Sequence, residues 1–358
     1  VTEQALEGRF PRTVERRLCY YCSAALSPGR TRRLRDQCIF EKVGSDMRYG
    51  QGDFQYELVE DWPHLPDGWG SFVDVGGVAV DREDNVYVLN RSEHPVIVFD
   101  KDGNYLRDWG AGLFLRAHGS LVAADGAIFC TDDGSHFAAK FTPEGELLLM
   151  LGKKGEPSDT GYFRTWEVWQ STSTVRHPGP PFNRPTGVAV NSDGDIFVSD
   201  GYGNCRVHRF DATGTLKLSW GEPGGAPGQF RLPHDVAIDQ RGRVLVADRE
   251  NSRIQLFTQD GAFLEQWHDV IRPTGLFIDR NGIVYVSEFC LRVSIFNPSG
   301  GLLSRWGNSG PVKEEALFLA PHAVAVDSSG DVYVGEVSKT YSGVDRGIRT
   351  IQKFRRIE

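Results

Sequence analysis

The sequence predicts an all-β fold, a six-bladed β-propeller whose ring is closed by an N-terminal strand pairing into the last blade. Three observations carry this expectation. A β-rich motif recurs six times at a spacing of about 40 to 48 residues, the size of one propeller blade. Within each copy, strand-like runs and turn signals follow in the same order. The last copy ends one strand short, and a run of the missing kind lies near the other end of the chain.

Taken in order, Phe54-Gln-Tyr-Glu-Leu-Val-Glu-Asp-Trp62 alternates with period two and ends in Trp, as the fourth strands do. It is expected beside Ile351-Gln-Lys-Phe354, so that no edge is left open. The four plainest inner hairpins are Gly77–Asp81 with Asn85–Leu89, Gly187–Asn191 with Asp195–Ser199, Asp235–Asp239 with Arg243–Ala247, and Ala323–Asp327 with Asp331–Gly335. Degenerate copies run from Gly119 to Thr131 and from Gly275 to Ser287. Third strands such as Val96–Phe99, Arg206–Phe210, Arg253–Phe257 and Arg292–Phe296 follow. Then comes a turn with Gly (Asp102-Gly103, Glu144-Gly145, Thr213-Gly214, Asp260-Gly261, Ser299-Gly300), suited to a hairpin because Gly tolerates positive φ. The fourth strands end at Trp109-Gly110, Leu151-Gly152, Trp220-Gly221, Trp267 and Trp306-Gly307. This assigns residues 52–358 to the propeller and leaves 1–51 as an extension of unassigned role.

The 358 residues, 40% hydrophobic and 25% charged, fit an ordinary globular protein rather than a disordered or fibrous one. No run approaches the roughly 18 apolar residues of a membrane helix, so no membrane partner is expected. A net charge of −8 gives no electrostatic reason to bind nucleic acid. Six irregularly spaced cysteines, and no signal-like stretch in Val1–Phe10, lead to the expectation of a reducing, cytoplasmic location. The extension is Arg-rich (Arg9, Arg12, Arg16, Arg17, Arg30, Arg32, Arg33 and Arg35 among them), with interspersed acids. Cys19, Cys22 and Cys38 there lack a fourth ligand at the spacing of a zinc ribbon.

Chemistry emerges when the residues leading the first strands are aligned: Gly76, His118, Thr186, His234, Thr274 and His322. One histidine there would be read as a polar residue satisfied at a strand end. Three in strict alternation, out of nine in the chain, lie about 120° apart around the axis and converge on one point. Three neutral imidazoles leave a coordination position open, the pattern of a catalytic zinc site, although another divalent transition metal would also suit them. The ends of the second strands share that face. They supply Asn90-Arg91, Asp200-Gly201-Tyr202 and Asp248-Arg249, and so two arginines that can hold a carboxylate and a tyrosine placed as a base. The long connection Gly152–Asn183, with Tyr162, Phe163, Trp166 and Trp169, falls on the same face as either a lid or a packed loop. So does the segment Val337–Arg349.

The Pro-Thr-Gly-Val-Ala-Val, Ile-Phe-Val-Ser-Asp and Asn-x-Arg-Val patterns resemble the NHL repeat, over nearly all of the chain after residue 52. More closely, Asp200-Gly-Tyr-Gly-Asn-Cys-Arg206, Leu232-Pro-His234, Val246-Ala-Asp-Arg-Glu-Asn-Ser-Arg-Ile-Gln255 and Pro321-His322 resemble peptidyl-α-hydroxyglycine α-amidating lyase. Arg91-Ser-Glu-His94 matches that family's Arg-Gly-Asp-His stretch loosely. The resemblance implies a six-bladed propeller that cleaves a carbinolamide to an amide and glyoxylate. It implies zinc on His118, His234 and His322, Tyr202 as base, and Arg91 and Arg249 positioning the substrate or the tyrosine. The family's structural calcium uses carbonyls matching Val78 and Ser120 and a carboxylate after the last histidine. Ala323 stands at that position, which puts calcium in doubt. The family's half-cystines are replaced by Gly203, Leu245 and Leu256. The expected function is therefore a zinc-dependent lyase acting on a small or peptide-like hydroxylated substrate. The alternatives are a protein-interaction scaffold without catalysis, or a metal-dependent hydrolase or lactonase, whose sites draw on acidic and amide ligands. Oligomeric state is not legible.

Overall fold

The computed structural model describes residues 40–43, 46–307 and 316–357. Most of the extension, with Cys19, Cys22 and Cys38, lies outside the described residues. The strands form six antiparallel sheets in a ring. Each sheet runs outward from an inner strand, and the inner strands of neighbouring blades pack side by side around the axis. The inner strands are Val75–Val80, Ala117–Val122, Pro185–Val190, Pro233–Ile238, Pro273–Ile278 and Pro321–Val326 for blades one to six.

The closing strand is where the alternating pattern places it. Phe54–Val59 pairs antiparallel with Ile351–Ile357, Phe354 opposite Leu58. The strand stops at Val59, and a turn carries Trp62 onward into the core between blades six and one, against Tyr333 and Phe99. Two further strands, Phe40–Val43 and Asp46–Gln51, continue this sheet outward to six strands. They begin upstream of residue 52, in a stretch without the repeat's pattern.

Blades lock onto one another through the turn glycines. Gly145 has φ of +91°, and a side chain there would meet the Trp109 ring at 2.5 Å. Gly103 stands likewise on Trp62, Gly261 on Trp220 and Gly300 on Trp267. Each Trp ends one blade and each Gly turns the next, so the repeated Gly and Trp of the sequence are two halves of one contact. Positive φ and the missing Cβ are both required there. No helix among the described residues is long and apolar enough to cross a membrane.

Candidate metal centre

All six inner strands carry a register shift at their leading residue, between Val75 and Gly77, Ala117 and Ser120, Pro185 and Gly187, Pro233 and Asp235, Pro273 and Gly275, and Pro321 and Ala323. The skipped positions include Gly76, His118, Thr186, His234, Thr274 and His322. A bulge re-aims a side chain away from the sheet's alternation, which is how a strand-end histidine comes to face the axis.

The three histidines meet there. Their ring centroids are 4.6 to 4.7 Å apart, close to an equilateral triangle. One nitrogen from each lies within 4.8 Å of the others. Each Nδ1 is bonded to a carbonyl of the next blade: His118 to Thr186 at 2.8 Å, His234 to Thr274 at 2.7 Å and His322 to Gly76 at 2.9 Å. A carbonyl only accepts, so Nδ1 carries the proton and Nε2 presents its lone pair. Burial, with neighbouring positive charge, holds all three well below the usual imidazole range, and they are neutral. The threonines of the intervening blades complete a collar, Thr186 Oγ1 lying 2.8 Å from the Pro233 carbonyl and Thr274 Oγ1 3.0 Å from that of Pro321.

Tyr202 reaches into this triangle. Its hydroxyl lies 3.1 Å from His234 Nε2, 3.3 Å from His118 Nε2 and 3.3 Å from Arg249 Nη1. His322 Nε2 is buried and has no hydrogen-bond partner among the described residues. Three imidazole lone pairs therefore converge with one phenol proton among them. That donor deficit suits a cation, and the borderline nitrogen set suits zinc or a similar transition metal.

The second-strand ends divide into a structural and a site-facing position. The last residues, Asn90, Asp132, Asp200, Asp248, Glu288 and Glu336, are buried in every blade and accept backbone N–H groups of the segment leading into the inner strand. The residues just after them supply Arg91, Asp133, Tyr202 and Arg249. Blades five and six offer Phe289 and Val337 instead, which pack with Ala320 and Tyr341 of the Val337–Arg349 segment.

Of the residues named from sequence, Tyr202 joins the histidines directly and Arg249 reaches them through the Tyr202 hydroxyl. Arg91 makes no hydrogen bond to them. Its Nε donates to the Ala117 carbonyl at 3.0 Å, and Nη1 forms a 3.5 Å ion pair with Asp74. Burial first, and then Arg116, bring its pKa down to about 10. His94 faces outward, stacked on Trp69 and bonded to Asp108 at 2.8 Å. Sequence reading missed Arg116, Arg184 and Asp133. Asp133 accepts from both arginines, and the guanidiniums of Arg116, Arg184 and Arg249 surround the Tyr202 ring at 5.3 to 5.4 Å. Arg116 and Arg184 stand two residues before His118 and Thr186, so moving the alignment by two positions would have found them. Of the long connection's aromatics, Tyr162 alone is bonded to this group, its hydroxyl accepting from Arg184 Nη1 at 3.0 Å. Trp166 is 89% exposed, and Phe163 and Trp169 also face solvent.

Beyond the triangle the axis is a channel of about 180 Å³ walled by inner-strand residues such as Val78, Val188, Val236 and Leu276. Ala323 brings no carboxylate to it. The carboxylate in the channel follows His234 instead: Asp235 accepts the N–H of Val236 at 2.9 Å and of Leu276 at 2.8 Å.

Residues 182–210 and 230–257 match the NHL repeat family. Peptidyl-glycine alpha-amidating monooxygenase B of Xenopus laevis is 29% identical over 79% of this chain, which spans 35% of that protein's length. A probable peptidyl-alpha-hydroxyglycine alpha-amidating lyase of Caenorhabditis elegans is 33% identical over 46% of the chain and 43% of its own. NHL repeat-containing protein 3 of Mus musculus is 30% identical over 77% of the chain and 78% of its own length. With that likeness running through most of both sequences, and six NHL-sized blades closed in a ring, this chain belongs to the family of NHL-repeat propellers.

Proposed function

We propose that this protein is a metal-dependent lyase that cleaves a carbinolamide, hemiaminal or related 2-hydroxy substrate, small or peptide-like. The observation that carries the reading is the triangle of neutral, inward-facing Nε2 atoms with a phenol hydroxyl set among them. Zinc, or another divalent transition metal, held by His118, His234 and His322 would supply Lewis acidity at the substrate hydroxyl. Tyr202 is the base: once its own proton has left, its oxygen takes the hydroxyl proton. Losing that proton, the C–O bond becomes a carbonyl, the C–N bond breaks and its electron pair goes to nitrogen. Tyr202 returns the proton to the leaving nitrogen, so the step balances with no outside acid. Arg249 Nη1 donates to the phenol oxygen and holds the charge left there. Arg91 or Arg249 holds an acid group of the substrate, as a bidentate guanidinium does.

The relatives named as amidating lyase or amidating monooxygenase support this class. The scaffold alternative gives no reason for three histidines in alternation. Cys130 and Cys205 are buried free thiols, which supports the expected reducing location. Purified protein is expected to carry close to one equivalent of transition metal and to release glyoxylate from an N-acyl-2-hydroxyglycine, with His234→Ala losing both. Metal-free protein, or unchanged turnover in that variant, would sink the proposal.

A further inference from the structure

The lyase reading asks for one acid group on the substrate. The site is built for more. Arg91, Arg116 and Arg184 come from blades one, two and three, and their carboxylate partners are Asp74 and Asp133. Asp133, fully buried, serves Arg116 and Arg184 together. Three guanidiniums thus share two carboxylates, and one of those contacts, Arg91 to Asp74, is a loose 3.5 Å pair.

Their donors are only partly used. Arg91 is 9% exposed, yet neither Nη1 nor Nη2 makes a hydrogen bond among the described residues. Arg116 spends one nitrogen on Asp133, and among the described residues no hydrogen bond engages its Nε or Nη2. Buried guanidinium N–H groups without acceptors are costly, and a carboxylate satisfies them two at a time. Arg116 and Arg184 are the more open of the group, at 27% and 14% of side-chain exposure. Both guanidiniums stand over the Tyr202 ring. Arg249, from blade four, serves the opposite requirement at the Tyr202 hydroxyl.

We propose that Arg116, Arg184 and the Nη edge of Arg91 form a second carboxylate subsite, so that the substrate is a diacid with one acid group at Arg249 beside the reacting carbon and the other on this flank. This rests on the lyase reading for the first acid group but not for the second. Asp133 is the positioning residue: it fixes two guanidiniums and leaves their remaining donors turned to the ligand. The excess positive charge on this flank also favours a dianion over a monoanion of the same shape.

Succinate and succinamate, nearly identical in size and differing by one charge, are suitable probes in titration calorimetry on the metal-replete protein at constant ionic strength. Succinate is expected to bind at least tenfold tighter. Arg116→Gln and Arg184→Gln should each bring that ratio below threefold and shift succinamate by less than twofold, while Arg184→Lys restores part of the preference. Thermal melts check that each variant is folded, and Arg116→Gln, which leaves the Arg184 to Asp133 pair in place, is the variant safest on that count. Equal binding of the two probes by wild type, or a preference that survives both Gln variants, overturns the second subsite. If instead the preference is found but no hydroxylated amide is turned over, the lyase reading fails and the subsite stands.

Discussion

Replacing Asp133 by Asn tests the charge network around Tyr202. The carboxylate is fully buried and accepts from Arg116 and from Arg184, the latter at 2.7 Å. Asn keeps the shape but replaces the charged Oδ2 that both guanidiniums share with a neutral amide. Breaking a buried ion pair by removing one partner costs about 3–5 kcal/mol. Here Arg116 and Arg184 retain some solvent, so the lower end, about 3 kcal/mol, is expected. Unfolding entropy of about 2.1 cal/mol/K per residue, over 358 residues, comes to about 0.75 kcal/mol/K, so Tm should fall by about 4 °C. The carboxyl group is subject to burial, which pushes its pKa up, but Arg116, Arg184 and Arg91 together hold it below 3.8. Its contribution is therefore present above pH 3.8 and lost as pH falls through the lower folded value. Asp133→Asn should flatten that acid limb. Urea denaturation of the single variants and of the Asp133→Asn, Arg184→Gln double variant gives the coupling directly, expected at about 1–3 kcal/mol. Additivity within about 0.5 kcal/mol would show that the pair is not the coupled unit described here.

Two further outcomes follow from the same geometry. Burial raises the Asp235 carboxyl pKa to about 7, with the N–H groups of Leu276 and Val236 pulling back. The fold thus binds its proton more tightly than the unfolded chain, and this stability declines as pH rises from about 4 to about 7. The loss is at most about 4 kcal/mol, less as water enters the channel. Urea midpoints at pH 5 and pH 8 should differ more for wild type than for Asp235→Asn, and equal differences would exclude Asp235 as the source. Tyr202→Phe should lower kcat by about 10²–10⁴ with little change in KM or metal content, the ring still being caged by its three guanidiniums. Full turnover by that variant would remove Tyr202 as the base.

The ring, its closing strand and the histidine triangle were legible because a strict repeat turns register into angle. Once His118, His234 and His322 share a register position, the ring's symmetry fixes their convergence. The same logic located Tyr202 and Arg249 at the ends of second strands. Position alone did not separate Asp248 from Arg249 in role. The first has its carboxylate committed to the Arg231 N–H and to the side chains of Asn251, Arg253 and Gln255, and the second has its guanidinium on the site, a difference set by which way each side chain leaves the strand. Arg116 and Arg184 were invisible because they precede the repeat motif, and Arg184 meets Asp133 across blades, a contact that no single-blade pattern contains. Phe40–Val43 and Asp46–Gln51 escaped for a related reason: they extend a sheet that already had its four strands.

The histidine anchors run one way around the ring, from blade two to three, four to five and six to one. The last crosses the seam where the chain's two ends meet, since the carbonyl of Gly76 in the first blade orients His322 in the last. The third ligand is therefore set only after the ring has shut. A partly folded propeller would offer two oriented imidazoles and bind metal weakly, while a closed one offers three. By the same linkage, an ion bound to all three would act as a clasp across the seam, opposing the opening of blade six from blade one. Assembly of the chemistry and closure of the circle are one event in this fold.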